Sequence, residues 1–231
     1  MPNYTVLRAA LLALTLAATA ALATPFAVQL GDTRLVLDTP PGFSDAAQTG
    51  SPRVLELAES LTSASNRILL FGITDADLRR FSVGDTPELR RYLIAVTPRS
   101  LERYYVAPKD FERYVQEVTR DLAPPPPQAD ARKLLDAAPA GLPVVLAELR
   151  REPALLSFMQ GARIEPPEKR FFWEETVPTT YLLSTTTLLL LRDRALNLSI
   201  YTGYAGREDL EWLRATTQRW VEELQRLNRR L

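Results

Sequence analysis

The chain has no cysteine and no histidine, and only two methionines and nine glycines, in 231 residues. Each absence closes a branch of chemistry. Without histidine or cysteine there is no Ser-His-Asp triad and no Cys-His pair. The usual histidine and thiolate ligation of zinc, haem and iron–sulfur clusters is lost with them. Disulfides and a lipid-modified cysteine are excluded as well. Lysine is scarce: Lys109, Lys133 and Lys169 are the only ones, and none stands in a Ser-x-x-Lys pattern. The glycines are scattered singly, so there is no phosphate-cradling loop. Catalysis would have to rest on carboxylates, tyrosine, arginine and hydroxyls, or on an oxygen-liganded metal.

A dominant charge is missing too. Lys plus Arg and Asp plus Glu each number 28. That balance argues against a nucleic-acid partner, which needs a net basic face. The apolar share, 46%, is ordinary for a globular chain.

Long apolar runs are also few. Behind Arg8, the first charged residue, lies the uncharged stretch Ala9–Ala20, followed by Ala21-Leu22-Ala23. Positive flank, apolar core and small-x-small read as a secretory signal peptide over residues 1–23, with Ala21 and Ala23 at the cleavage site. A retained anchor is the alternative. The run falls short of the about 20 residues of a membrane span, and Pro25 breaks any helix passing through. Later in the chain, Leu188–Leu191 is stopped by Arg192-Asp193, which suits a buried strand. The expected product is soluble, periplasmic or secreted, with no stable membrane span after cleavage.

Residues 24–231 read as one domain. Phe26–Leu30 and Leu35–Asp38 alternate around Gly31-Asp32, a hairpin closed by Pro40-Pro41-Gly42-Phe43. Ser51-Pro52 opens a helix with Val54, Leu57, Ala58 and Leu61 on one stripe. Strands follow at Ile68–Ile73 and Tyr92–Val96, and a helix at Lys109–Leu122. A proline-rich surface segment at 123–128 interrupts regular structure. Beyond it come a short helix near Ala131–Ala138, strands at Val144–Leu149 and Leu155–Ile164, and a long hairpin, Tyr181–Leu191 with Ala195–Tyr201. In the second arm Leu196, Leu198 and Ile200 alternate with Asn197, Ser199 and Tyr201, which predicts one wet face. A helix from Glu208 to Asn228 carries the stripe Leu210, Leu213, Thr217, Trp220, Leu224 and Leu227. The hairpins predict an α+β fold, an antiparallel β-sheet flanked by helices.

This order of Leu30-Gly31-Asp32 hairpin, Pro40–Phe43 turn, central strands, Leu188–Ile200 hairpin and closing helix through Trp220 to Asn228 resembles small exported bacterial proteins of uncharacterised families. More loosely it is similar in layout to the PsbP-like fold. That resemblance implies an accessory or binding role; it carries no functional motif.

Asp75, Asp77 and Asp85 are close in sequence, but capping of a helix by Asp75, with Asp77 in its first turn, outweighs a cation site. Asp85-Thr86-Pro87-Glu88 is a second capping pattern. Glu174-Glu175 would point to opposite faces of a strand, and Phe171-Phe172-Trp173 would more readily pack than line a groove. No catalytic residue, metal ligand or cofactor site is assigned. Four basic doublets stand out: Arg79-Arg80, Arg90-Arg91, Arg150-Arg151 and Arg229-Arg230. Balanced by nearby acids they form solvated faces; where two converge, they bind an anion bidentately. Trp212 lies off the stripe of the last helix. With Arg79, Arg80, Arg90 and Arg91 it is a candidate partner contact. The leading expectation is a non-enzymatic accessory or binding protein whose partner is an envelope protein or an anionic ligand. The competing ones are a carboxylate or oxygen-metal hydrolase and a self-associating envelope component.

Overall fold

The computed structural model describes residues 24–85, 87–123, 130–164 and 180–229. The signal-peptide segment with Ala21 and Ala23, the proline run from Pro124 onward, residues 171–175 and Arg230 lie outside them.

The fold is α+β. Strands β3 (Phe43–Asp45), β4 (Asn66–Thr74), β5 (Arg91–Pro98), β6 (Val144–Glu152), β7 (Leu155–Ile164), β8 (Thr180–Leu191) and β9 (Arg194–Gly203) make one seven-stranded sheet. Its order is β3-β4-β5-β9-β8-β7-β6, antiparallel throughout. The first hairpin, β1 (Phe26–Leu30) and β2 (Thr33–Leu37), forms a separate two-stranded sheet. Gly31 makes its turn at φ +56, a conformation that costs other residues more.

Among the described residues five helices flank the sheet: α1 (Pro52–Ser60), α2 (Asp75–Ser82), α3 (Pro108–Thr119), α4 (Ala131–Ala137) and α5 (Arg207–Leu227). One sheet face takes α5. Leu213, Trp220 and Leu224 enter a core shared with Leu93, Ala95, Leu198 and Ile200, and with Leu30, Leu35 and Leu37 of the hairpin. Inside this core the Thr185 and Thr217 hydroxyls meet at 2.8 Å, which satisfies two buried polar groups together. The opposite face carries two smaller clusters. One joins Phe111 and Val115 of α3 to Leu156, Phe158, Leu188 and Ala195. The other joins Val54 and Ala58 of α1 to Phe71 and Ile73.

That second layer corrects the expected wet face of β9. Ser199 is buried, and Asn197 and Tyr201 are half-buried. Alternation records which residues are polar, not whether a neighbour covers them: Tyr92 stacks on Tyr201 at 4.6 Å, and α3 packs over Ala195. Two capping expectations also change. Thr74, not Asp75, caps α2, its hydroxyl accepting from Asp77 N–H at 3.1 Å. Pro87–Leu89 start no helix: Leu89 is left-handed, at φ 50, and Glu88 N–H is bonded to the Asp77 carboxylate at 2.9 Å.

No helix among the described residues is long and apolar enough to cross a membrane.

Candidate functional site

The end of the sheet where β4 and β9 finish and β5 and β8 begin opens into a cleft of about 670 Å³. Its walls come from distant parts of the sequence: Asp77 and Arg80 on α2, Glu88, Arg90 and Arg91 entering β5, Arg132 on α4, Tyr181 on β8, and Thr202, Tyr204 and Asp209 around the start of α5.

Two of the four basic doublets therefore converge. Arg80 and Arg90 share Glu88. Arg80 donates to one carboxylate oxygen, and Arg90 Nε lies 2.8 Å from the other. The Arg80 bond and the two positive charges hold the Glu88 carboxyl below the usual range. Arg91 leaves the sheet toward α5. Its guanidinium lies 4.0 Å over the Trp212 ring, donates to the Asp209 carboxylate at 3.2 Å, and reaches the Thr202 hydroxyl. Asp209 is fixed from its other side by the N–H groups of Ala205 and Gly206, so the start of α5 and the end of β5 are tied through one carboxylate. Trp212 is half-buried, packed on the main core and 6.3 Å from the Phe43 ring; Arg91 covers it. Arg79 is exposed on α2 and does not line the cleft.

The other doublets are elsewhere. Arg150 and Arg151 sit on the edge strand β6, paired with Glu152 and Glu148. Arg229 lies past the end of α5.

Three lining groups were not singled out from the sequence. Arg132 stacks on the Tyr181 ring at 4.3 Å. The Tyr181 hydroxyl donates to Asp136 at 2.5 Å, and that bond raises its pKa. Tyr204 meets Tyr181 edge to face at 6.3 Å. The sequence signal for this group is Gly161. It leaves room for Leu135, and so lets α4 approach the sheet and present Arg132.

The cleft lining carries four guanidiniums and three carboxylates with two tyrosine rings, and a fourth acid, Asp136, pairs with Arg132 at 3.6 Å. Asp77 is turned to a backbone N–H donor, Asp209 to two such donors and to Arg91, and Glu88 to Arg80 and Arg90. Among the described residues no group of three or more acids is placed to hold a metal ion.

No family model matches the chain. No curated protein matches it either. Among solved structures, the crystal structure of the Saccharomyces cerevisiae Ran-binding protein Mog1p aligns with a TM-score of 0.40 at 13% identity, over 89% of this chain and 94% of that one.

Proposed function

We propose that the protein is an exported, non-enzymatic accessory or binding protein whose cleft takes up an anionic group, borne by a small ligand or by an envelope partner. The observation that carries this reading is the convergence of Arg80, Arg90, Arg91 and Arg132 on one opening of about 670 Å³. Such volumes suit ligand sites, and guanidiniums recognise carboxylates and phosphates through paired donors. Stacking on Trp212 and Tyr181 restrains two of the four planes, which reduces the entropy lost on binding. Export rests on the leader of residues 1–23.

The hydrolase reading needs an acid held protonated near neutrality beside an ionised partner. Within the cleft Glu88 is shifted the opposite way. The Asp77 carboxylate accepts from Glu88 N–H and the Thr74 hydroxyl, and that of Asp209 from the N–H groups of Ala205 and Gly206 and from Arg91. The arrangement favours binding over proton transfer.

The test is calorimetric titration of the purified protein with pyrophosphate, citrate and hexaglutamate. At least one should bind saturably, more weakly as salt rises, and at least about tenfold more weakly to the Arg90→Gln/Arg132→Gln double variant. Binding of none of the three, or equal binding by the double variant, would overturn the reading.

A further inference from the structure

We propose that Arg80 and Arg90 form a carboxylate subsite for an acidic side chain of a peptide segment, with Glu88 as its internal stand-in, provided the cleft is the binding site argued above. Glu88 spreads its two oxygens over two guanidiniums, one to each, which shows that the pair is spaced for a single carboxylate. An acid from outside makes the same two contacts.

Three observations make Glu88 exchangeable rather than a fixed strut. First, the ion pairs are open to water: the side chains of Arg80, Glu88 and Arg90 are 50%, 44% and 86% exposed. Exposed pairs of this kind contribute little to stability, so an incoming carboxylate displaces little. Second, the backbone places Glu88 independently of its carboxylate, because its N–H is anchored on Asp77. Third, the next residue, Leu89, has φ 50, the left-handed region that leucine rarely adopts. Such conformations persist where the surroundings impose them, and they cluster at binding and switch regions. The side chain can leave the guanidiniums while the loop stays in place.

The remaining lining fits the neighbours of an acidic residue. Half-buried Tyr204 presents ring surface, and Arg132, stacked on Tyr181 and paired with Asp136, a further guanidinium. The subsite lies on an exposed rim that an extended segment can cross, and the cleft is far larger than one carboxylate requires.

The test uses hexaglutamate, hexaglutamine and pyrophosphate against the wild type, Glu88→Gln and Arg80→Gln. Removal of the internal competitor in Glu88→Gln should tighten hexaglutamate about three- to tenfold. Arg80→Gln should weaken it by a similar factor, and hexaglutamine should bind to none of the three proteins. Thermal melts of both variants close to that of the wild type would exclude misfolding as the cause. Unchanged or weaker hexaglutamate binding by Glu88→Gln, with anion binding still lost in Arg90→Gln/Arg132→Gln, would overturn the subsite and leave the cleft reading standing. Tightening of pyrophosphate alone would assign the site to phosphate groups and overturn the peptide. Failure of every protein to bind any of the anions would remove both.

Discussion

At the residue scale, individual side chains set the local geometry, and carboxylates do so most often. Asp45 shows how such a group is maintained. One of its oxygens accepts from the N–H groups of Ala47 and Phe71, each at 3.1 Å, and the other from Gln48 at 3.1 Å. It thereby caps a 3-10 turn (Ala46–Thr49) and satisfies β4 at the edge where β3 ends. Burial nevertheless outweighs these bonds and raises its pKa above 3.8. The sign of the consequence follows from linkage. Between the unfolded value and the raised one the folded protein binds more protons than the unfolded chain, so ionising Asp45 costs stability as pH rises through that window. Asp45→Asn keeps an acceptor and removes the charge. It should match or exceed the wild type in urea denaturation at pH 7, with any advantage shrinking as pH approaches about 4. Asp45→Ala strands two N–H groups and should lose about 1–3 kcal/mol at both pH values. An Asn variant as unstable as the Ala variant would sink this account.

At the scale of elements, the placement of α4 decides whether the cleft has its fourth guanidinium. The helix is short, and Leu135 is its one fully buried side chain. Leu135 sits where a Cβ on Gly161 would be, 2.7 Å from its Cδ2, with Leu183 Cδ2 at 3.0 Å. Gly161→Ala should therefore push α4 outward at a cost of about 1–3 kcal/mol. Arg132 moves with the helix, so the same variant should weaken anion binding. Gly203→Ala is the control for stability alone, since nothing lies within 4 Å of its added Cβ but the residue lines the cleft. Calorimetry and thermal melts of the two variants check both effects; equal stability of the two would contradict the packing argument. This dependence also explains what could be read from the sequence. Strand and helix periods are local, so β7, β8, β9 and α5 were placed within a few residues, as was the antiparallel hairpin order. Coverage of a face is not local, which is why β9 was expected to be wet on one side. The doublets Arg79-Arg80 and Arg90-Arg91 were visible as sequence, but their convergence needed the β4–β5 register. Arg132 was invisible as a site residue because only Leu135 and Gly161, on separate elements, bring it there.

At the scale of the whole molecule, the first and last described elements stabilise each other. Among the described residues the β1–β2 hairpin has no strand partner in the main sheet, and a lone hairpin is marginal in water. It is held by arginines of the β8–β9 hairpin, Arg194 donating to the Asp32 carboxylate and the Thr33 hydroxyl and Arg192 to the Arg34 carbonyl, and by α5. Trp220, fully buried, donates its indole N–H to the Asp38 carbonyl at 2.7 Å. Asn228 closes the far end by accepting from Val36 N–H at 2.8 Å and donating to the Val36 carbonyl at 2.7 Å. Leu30, Leu35 and Leu37 share the core with Leu213, Trp220 and Leu224. These contacts join residues about 190 positions apart, and such non-local closure slows folding. The same coupling makes the two elements one unit of local stability. Trp220→Ala should cost about 3–5 kcal/mol, a large share of the about 5–15 kcal/mol typical of a domain. In native-state hydrogen exchange the amides of β1 and β2 should lose protection together with those of α5, while β8 and β9, paired along their whole length, keep theirs longest. If the hairpin amides stayed protected while α5 exchanged, the Arg192 and Arg194 contacts alone would hold the hairpin, and its coupling to α5 would be overturned. The clamp also steadies the cleft, because the start of α5 that Arg91 and Asp209 tie to β5 belongs to the helix Trp220 holds down. Trp220→Ala should therefore lower anion affinity from a site it does not touch, and by less than Arg90→Gln/Arg132→Gln does.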